Sequence, residues 1–479
     1  MSNKEVVVTV EQAVPRLPEI RFQEPVHWQI RIGEQWVVIG PNGSGKNILA
    51  DMLQRRYTLK AGEVTFGIEG KVHEIIKSIA FKDIHSLADS RNTYYQQRWH
   101  ATETDELPTV ESLLTATSGV IFDELQRIFN ISEHLQKRII HLSSGELRKF
   151  LIIRTLLSDP KLLILDNPFI GLDIESRSVL MDMLEQMVKL KDLQLVLLLS
   201  NPDDIPRMIT HVLPVKNLTC YPVMLSDEFL SDRTLQAELF PVLKEQSLQL
   251  PQTTATSLHK VTVQLEHVTV KYGSRTILNN IDWIIQNGEK WSLYGPNGSG
   301  KSLLLSLIYA DNPQAYAQSI LLFDRRRGTG ESIWDIKKRI GYVSPEMHLY
   351  YMENVPALDI VCSGFFDSIG LFRRCNETQK MLAIQWMRLF GIEHLKERSF
   401  LTLSSGEQRL VLLVRAFVKD PDLLILDEPL HGLDVSNKQF VSHIIERFCM
   451  RKNKTLIYVT HYPDELPKCV TRHFELVKE

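Results

Sequence analysis

An internal repeat constrains this chain more than any other feature. Residues 27–47, which read HWQIRIGEQWVVIGPNGSGKN, align with residues 281–302, which read IDWIIQNGEKWSLYGPNGSGKS. Further along, residues 141–173 are repeated as residues 402–434. A chain of 479 residues is also too long for one ordinary hydrophobic core. The sequence therefore predicts two homologous domains in tandem.

The domain boundaries follow from where the repeat stops and the composition changes. The join between the two halves is rich in Pro, Gln, Thr and Ser, which is typical of a surface connection. We expect one short helix within it. The sequence predicts a first domain over residues 1–215, a linker over residues 216–258 and a second domain over residues 259–479.

Each half carries the same order of local signals. The apolar segments at 36–40 and 291–295 run into glycine-rich turns and then into apolar helical patterns, which predicts strand, loop and helix. The runs LLILD at 162–166 and 423–427 show no polar alternation, as expected of central parallel strands covered on both faces. The fold class is therefore α/β, with a mainly parallel sheet in each half.

Composition narrows the function only slightly. A net charge of -3 and a pI near 6.6 give no overall attraction to nucleic acid, although a local basic patch is not excluded. Five cysteines without a close CxxC pair suggest neither a disulfide framework nor a zinc site. The N-terminus has no secretory pattern, and apolar runs such as LVLLL are too short to span a bilayer. These features predict a cytoplasmic protein.

Two glycine-rich loops carry the strongest chemical signal. In the pattern GxxxxGK[ST] between a strand and a helix, glycines let backbone N–H groups approach phosphates, the lysine reaches the β- and γ-phosphates, and the hydroxyl binds Mg²⁺. The second half matches in full and predicts binding of ATP and Mg²⁺ by Gly295, Pro296, Asn297, Gly298, Ser299, Gly300, Lys301 and Ser302. The first half offers Gly40, Pro41, Asn42, Gly43, Ser44, Gly45 and Lys46, and then Asn47 in place of the hydroxyl residue.

In the second half, the apolar run at 423–428, which reads LLILDE, ends in two acids. Asp427 is predicted to hold Mg²⁺ through water, together with Ser302. Glu428 is predicted to polarise the water that attacks the γ-phosphate. Adjacent carboxylates at a strand end are costly unless a cation lies nearby, which favours this interpretation over a solvated turn.

The ordered set of motifs resembles the ATP-binding-cassette (ABC) ATPases. The two LSSGE stretches are similar to the family's signature, GLD at 171–173 and 432–434 to its D-loop, and His461 in VTHYPDE to its switch histidine. The resemblance implies tandem P-loop domains, each with a core sheet, an antiparallel β subdomain and a helical subdomain. It further implies head-to-tail pairing, within one chain or between two, so that each ATP also meets a signature: Ser143, Ser144, Gly145 and Glu146, or Ser404, Ser405, Gly406 and Glu407.

Three chemical positions of the first half depart from the family pattern together. Asn47 replaces the Mg²⁺-binding hydroxyl, Asn167 the catalytic glutamate and Asn201 the switch histidine, while Lys46 and Asp166 remain. An amide oxygen can approach Mg²⁺, but an amide cannot accept a proton as a general base does. We predict a first site that binds ATP with slow or absent turnover, and a second site that hydrolyses it with Lys301, Glu428 and His461. Asn47 alone also suits a helix N-terminus.

Two further positions differ from the family. The glutamine of the Q-loop is missing where it is expected, since the second half has Pro345 and Glu346 there. The aromatic residue that stacks on adenine is predicted at Tyr272, whereas its first-half counterpart is Leu17, with Phe22 as the candidate substitute.

The resemblance extends to the ModF-type tandem ATPases and leaves two functional classes open. In the first, the chain powers or regulates a membrane transporter, attached peripherally at the inner face of the membrane, with the apolar insert at 361–372 receiving a permease. In the second, less favoured class it is a soluble switch on ribosomes or nucleic acid, similar to ABC-F factors. The shorter, non-basic linker argues against that class. Aromatic and basic residues at 91–99 form either a contact surface or the cover of a helical subdomain.

Overall fold

The computed structural model divides the chain into two compact units. The described residues up to 241 belong mainly to the first, and those at 249–431 and from 437 onward to the second. The structure describes residues 5–80, 109–114, 120–138, 142, 144–170, 172, 174–191, 193–241, 249–251, 259–272, 275–296, 298–345, 347, 351, 354–368 and 373–477.

The first unit combines an antiparallel sheet with a mainly parallel one. Its strands are β1 (Val6–Pro15), β2 (Val26–Arg31), β3 (Trp36–Ile39), β4 (Leu59–Phe66), β5 (Ile76–Ala80), β6 (Leu162–Asp166), β7 (Gln194–Leu199), β8 (His211–Lys216), β9 (Thr219–Cys220) and β10 (Met224–Leu225). The antiparallel sheet has the order β2-β1-β4, and the larger sheet the order β10-β8-β3-β7-β6-β5, with β9 paired to β8. Strands β5, β6, β7, β3 and β8 run parallel.

Helices cover this parallel sheet. They are α1 (Lys46–Leu53), α2 (Val72–Ile75), α3 (Val120–Phe129), α4 (Ser144–Leu156), α5 (Ile174–Lys191), α6 (Ser226–Ser231) and α7 (Arg233–Leu239). The last two lie within the range predicted as a linker, and Phe229 and Leu239 are fully buried in the core. The boundaries predicted from the sequence, with a linker over residues 216–258, stay a prediction.

The central strands of the first unit are buried on both faces. In β7, Leu195, Leu197 and Leu199 join the core on the side of α3, α4 and α5, whereas Val196 and Leu198 join the core on the side of α1 and the antiparallel sheet. Successive side chains of a strand point to opposite faces, so an uninterrupted apolar run fits a sheet covered on both sides. The α/β prediction from these runs is confirmed.

The second unit repeats this arrangement. Its strands are β11 (Val261–Tyr272), β12 (Arg275–Gln286), β13 (Lys290–Tyr294), β14 (Ser319–Leu322), β15 (Arg325–Arg326), β16 (Ile340–Val343), β17 (Leu423–Asp427), β18 (Thr455–Val459) and β19 (Arg472–Glu475). An antiparallel sheet has the order β12-β11-β14-β15, and a parallel sheet the order β16-β17-β18-β13-β19. The helices are α8 (Lys301–Ile308), α9 (Ile333–Lys337), α10 (Ala357–Ser363), α11 (Glu377–Leu389), α12 (Ser405–Phe417) and α13 (Val435–Cys449).

The two parallel sheets have the same strand order. In each, the strand that ends in Asp166 or Asp427 neighbours the strand that precedes Asn201 or His461, and that strand neighbours the one leading into the glycine loop. The carboxyl ends of parallel strands share one edge, where open α/β sheets bind ligands. The topology therefore brings the predicted motifs of each half to one edge of its sheet.

In the part of the chain that the structure describes, no helix is long and apolar enough to cross a membrane.

Candidate functional site

The glycine loops lie where the sequence predicts, between a buried strand and a helix. The first connects β3 to α1 and the second connects β13 to α8. The residue before each helix, Gly45 or Gly300, has a left-handed backbone with φ of 110° or 96°. A side chain is strained in that conformation, so glycine is required for the turn that aims the helix N-terminus into the loop.

Close backbone approach explains the first glycine of each loop. A Cβ atom on Gly40 would lie 1.9 Å from the carbonyl oxygen of Val215, and one on Gly295 would lie 2.4 Å from that of Leu476. The buried hydroxyls of Ser44 and Ser299 have no hydrogen-bond partner among the described residues. Buried polar groups are normally satisfied, so both loops fit an additional hydrogen-bonding ligand such as a phosphate.

Each loop lysine folds back over its own loop. Lys46 Nζ donates to the carbonyl oxygens of Gly40 at 2.7 Å and Pro41 at 2.8 Å. Lys301 Nζ does the same to Gly295 at 2.7 Å and Pro296 at 3.1 Å. Burial lowers the pKa of Lys46 to about 8, and the negative charge of Asp166 offsets part of that shift. Both lysine side chains thus lie at the loop, where phosphate oxygens would stabilise their positive charge.

In the second half, Glu428 lies at the end of β17 beside two histidines. Its Oε1 is 3.2 Å from His461 Nε2, and its Oε2 is 3.4 Å from His431 Nδ1. Burial by itself raises the pKa of the Glu428 carboxyl, but the hydrogen bond with His461 and the charges of His431, His461 and Arg409 outweigh burial and lower the pKa below its usual value. The carboxylate is therefore held in its ionised form, which is the form that accepts a proton.

Arg409 and His431 were not predicted from the sequence. The Arg409 guanidinium, buried in α12, donates to the backbone carbonyls of Ser344 at 2.7 Å, Asp427 at 2.9 Å and Pro429 at 3.1 Å, and also to that of Glu428. It fixes the backbone that carries the two acids. The signal for Arg409 was present in the repeat, because Arg148 occupies the same place and donates to Pro168. His431 has no such counterpart, since Ile170 stands there.

The first half places amides around its remaining acid. Asn47 Nδ2 donates to Asp166 Oδ2 and Asn167 Nδ2 donates to Asp166 Oδ1, each at 3.0 Å. Asn201 instead caps the short 3₁₀ helix Pro202–Asp204, where its Oδ1 accepts the Asp203 N–H at 3.1 Å. Asn47 and Asn167 thus contact Asp166, whereas Asn201 caps the turn that follows β7.

The donor sets differ in how they suit Mg²⁺. The second half offers the Asp427 carboxylate and the exposed Ser302 hydroxyl, and oxygen donors of this kind fit the ion. In the first half, N–H groups point at both oxygens of Asp166, and Asn47 turns its amide nitrogen toward the acid. That arrangement fits Mg²⁺ poorly, because the Asn47 oxygen and the Asp166 oxygens do not converge as acceptors.

The second signature begins helix α12. Ser404 caps it: the Glu407 N–H donates to Ser404 Oγ at 3.4 Å, and the Ser404 N–H donates to Glu407 Oε2 at 2.8 Å. This reciprocal capping box leaves the following Ser405 and Gly406 at the helix N-terminus. In the first signature, Glu146 lies 3.1 Å from Lys137 Nζ. Ser143 lies outside the described residues, as does the side chain of Ser144.

The predicted adenine-stacking residues occupy different environments. Tyr272 ends β11, and its hydroxyl accepts a hydrogen bond from Asn312 Nδ2 at 3.3 Å. Leu17 is 55% exposed, whereas Phe22 is buried and packs beside Gly45, where a Cβ would lie 3.1 Å from its ring. Phe22 therefore packs under the loop in the place that Ile277 takes beside Gly300.

Several predicted residues fall partly or wholly outside the described part of the chain. Pro345 is described, but Asn297, Glu346, the aromatic and basic residues at 91–99, and residues 369–372 of the apolar insert are not. Within the described part of that insert, Val361 and Cys362 are core residues of α10.

Comparison with known proteins places this geometry in context. The model of the ABC transporter family matches residues 23–170 and again residues 278–431. The chain is 36% identical to the ABC transporter ATP-binding protein ModF of Escherichia coli, over 98% of this chain and 96% of that protein. It is 30% identical to an uncharacterized ABC transporter ATP-binding protein of Schizosaccharomyces pombe, over 93% of each.

Solved structures share the fold at low identity. An archaeal ribosome recycling factor, aABCE1, in complex with the ribosomal stalk protein aP1, is similar with a TM-score of 0.53 and 18% identity, over 94% of this chain and 84% of that one. A structure titled RNase-L Inhibitor gives a TM-score of 0.50 and 17% identity, over 94% and 85%. At these identities the likeness concerns the fold alone.

Proposed function

From the premise that this chain belongs to the ABC transporter family of ATP-binding proteins, whose members are ATPases, we propose an asymmetric tandem ATPase. The second half hydrolyses ATP, and the first half binds ATP with little or no turnover. The observation that carries the proposal is the contact of Glu428 with His461 in the second half. The corresponding first-half positions hold Asn167 and Asn201.

The residues of the second half divide the work of phosphoryl transfer. The loop amides and Lys301 bind the phosphates, and Lys301 exchanges its two carbonyl acceptors for phosphate oxygens when ATP enters. Mg²⁺, held by Ser302 and Asp427, supplies charge compensation for the phosphates when bound. Glu428 orients the attacking water and accepts its proton, while His461 holds the carboxylate and lies ready to donate to the γ-phosphate. Tyr272 stacks on the adenine.

The first half is suited to binding rather than hydrolysis. Lys46 and the loop glycines remain, so the phosphate-binding elements are intact. Asn167 has no basic carboxylate with which to take a proton from water. By analogy with the family, each ATP is completed by a signature of the other cassette: Ser404, Ser405, Gly406 and Glu407 for the first site, and Ser143, Ser144, Gly145 and Glu146 for the second. Pairing occurs within one chain or in a homodimer.

For the partner, we propose a membrane permease. The names of the similar proteins support this proposal, because they are ABC transporter ATP-binding proteins. The chain would attach peripherally at the cytoplasmic face of the membrane. The alternative of a soluble switch on the ribosome or nucleic acid gains no argument from the similar solved structures, which share only the fold.

The experiment that tests the asymmetric assignment is steady-state ATP hydrolysis by the purified chain at saturating Mg-ATP. Lys301→Ala is compared with Lys46→Ala, and Glu428→Gln with the matched first-half variant Asn167→Gln. We expect Lys301→Ala and Glu428→Gln to lower kcat by about 100-fold or more, since they remove phosphate binding and the general base. Lys46→Ala and Asn167→Gln should leave most of the turnover.

Two outcomes would contradict the assignment. Near wild-type turnover by Glu428→Gln, measured together with retained ATP binding, would show that Glu428 is not the general base. Equal losses in Lys46→Ala and Lys301→Ala would show that the first loop is required for hydrolysis at the second site.

A further inference from the structure

A short turn brings His431 back onto the predicted general base. The His431 N–H donates to the Glu428 carbonyl at 3.1 Å, which closes the turn Glu428–His431. Across this turn the His431 Nδ1 lies 3.4 Å from Glu428 Oε2, while His461 Nε2 lies 3.2 Å from Oε1. A carboxylate can only accept hydrogen bonds, so an imidazole nitrogen that bonds to Glu428 must be the donor. Each carboxylate oxygen of Glu428 thus faces its own imidazole.

The first half provides an internal comparison. The same turn forms there, since the Ile170 N–H donates to the Asn167 carbonyl at 3.2 Å. The turn therefore does not need histidine at its fourth position. Ile170 stands where His431 stands, and Asn167 stands where Glu428 stands. Histidine occurs in the half that keeps the glutamate.

The other cation near Glu428 does not fill this role. The Arg409 guanidinium donates to backbone carbonyls, including those of Asp427 and Glu428. It fixes the main chain but not the rotation of the Glu428 side chain. The two oxygens of that side chain lie instead beside His461, which follows β18, and His431, which follows β17.

We propose that His431 is a positioning residue for the general base Glu428. Its Nδ1–H holds Oε2 and keeps the carboxylate oriented when His461 turns from Oε1 to the γ-phosphate. This inference rests on the proposed function, in which Glu428 takes the proton of the attacking water. If the general base loses its orientation, kcat falls while the affinity for ATP is retained, because the reacting atoms must align within a fraction of an ångström.

The test uses the full chain and two substitutions at the same position. His431→Leu removes the donor, and His431→Asn keeps a side-chain N–H at nearly the position of Nδ1. His394→Leu, at an exposed histidine of the short 3₁₀ helix Glu393–Leu395, is the matched control. For each variant we would measure kcat and KM for ATP hydrolysis, the affinity for ATP in the absence of turnover, and the thermal unfolding midpoint.

We expect His431→Leu to lower kcat by about 10- to 100-fold with KM and ATP affinity within about threefold of wild type. His431→Asn should recover most of that loss, and His394→Leu should match wild type. A kcat within about twofold of wild type in His431→Leu would overturn the proposal. So would equal losses in both His431 variants with a lowered unfolding midpoint, because that result indicates a structural role.

Failure of the proposed function gives a different pattern. If the wild-type chain binds ATP but hydrolyses none, the assignment of Glu428 as a general base fails, and the role of His431 fails with it. If instead wild type and His431→Leu hydrolyse ATP equally while Glu428→Gln is inactive, the proposed function stands and only the role of His431 is overturned.

Discussion

Two carboxylates at corresponding edges of the two sheets have opposite surroundings. Asp166 receives amide N–H groups from Asn47 and Asn167. Glu428 receives imidazole nitrogens from His431 and His461. An amide donates a hydrogen bond, but it carries no charge and accepts no proton. An imidazole can accept a proton and then carries a positive charge. Under the proposed function, the groups that face these acids distinguish the binding site from the hydrolytic site.

The first prediction at this scale concerns the metal ion. ATP affinity at the first site should depend little on Mg²⁺, because N–H groups already face both oxygens of Asp166. The affinity of Lys301→Ala, which keeps the first site, should change less than about threefold when EDTA replaces Mg²⁺. Fluorescence of a labelled ATP analogue measures it.

The matched variant is Lys46→Ala, which keeps the second site with Ser302 and Asp427. Its affinity should fall about tenfold or more on removal of Mg²⁺, because phosphate charge is then left uncompensated. Similar losses in the two variants would show that the Asn47 side chain rotates to present its oxygen to the ion.

At the scale of elements, helix α12 joins the signature to the acids. Its first residue follows the cap Ser404, and Arg409, one turn further along, holds the carbonyls that flank Asp427 and Glu428. Fraying of the first turn of α12 would therefore loosen both the signature and the backbone of the predicted base. The capping box is a local, sequence-encoded device that prevents such fraying.

This helix supports a prediction that separates stability from ATP binding. Ser404→Ala should lower the free energy of unfolding by about 1 kcal/mol, because the cap of α12 is lost. Ser404→Asp keeps a capping oxygen and should retain stability, but it places a negative charge in the signature that completes the first site in the proposed pairing, and it should weaken ATP binding there. Denaturant unfolding measures the effect on stability, and the affinity of a labelled ATP analogue in a Lys301→Ala background measures the effect on the first site. An unchanged affinity in Ser404→Asp would contradict a role for this signature in phosphate binding.

The elements themselves were largely predictable. The strands β3, β6 and β17 were expected from unbroken apolar runs, and the structure buries them, whereas β13, which was also expected, ends in the exposed Tyr294. The helices α6 and α7 were not expected as core elements, because their sequence is polar. They became part of the core through a few apolar side chains, such as Phe229 and Leu239, that pack against residues distant in sequence.

For the whole molecule, asymmetry between the two halves is the property that most needs a test. The combined substitution Asn47→Ser, Asn167→Glu and Asn201→His should create a hydrolytic site in the first half, because the loop and Lys46 are already in place. In a Lys301→Ala background, where the second site is disabled, turnover should rise at least about tenfold above that background. Steady-state phosphate release measures it.

A control addresses whether the loop itself is competent. When Lys46→Ala is added to the three substitutions in the Lys301→Ala background, turnover should not rise above that background. If the restored chain binds ATP at the first site but its turnover stays at background, the cause of the asymmetry lies outside these three positions.

The sequence by itself determined the repeat, the α/β class, the two loops and the substitutions at Asn47, Asn167 and Asn201, because these signals are local or lie in register between the two halves. Only the tertiary structure brought His461, which follows β18, to Glu428, which follows β17, and aimed the Asn47 amide at Asp166. Strand order and side-chain direction decide such contacts between residues far apart in the chain. His431 shows the same limit at short range, because a histidine three residues after an acid becomes a contact only when the turn folds it back.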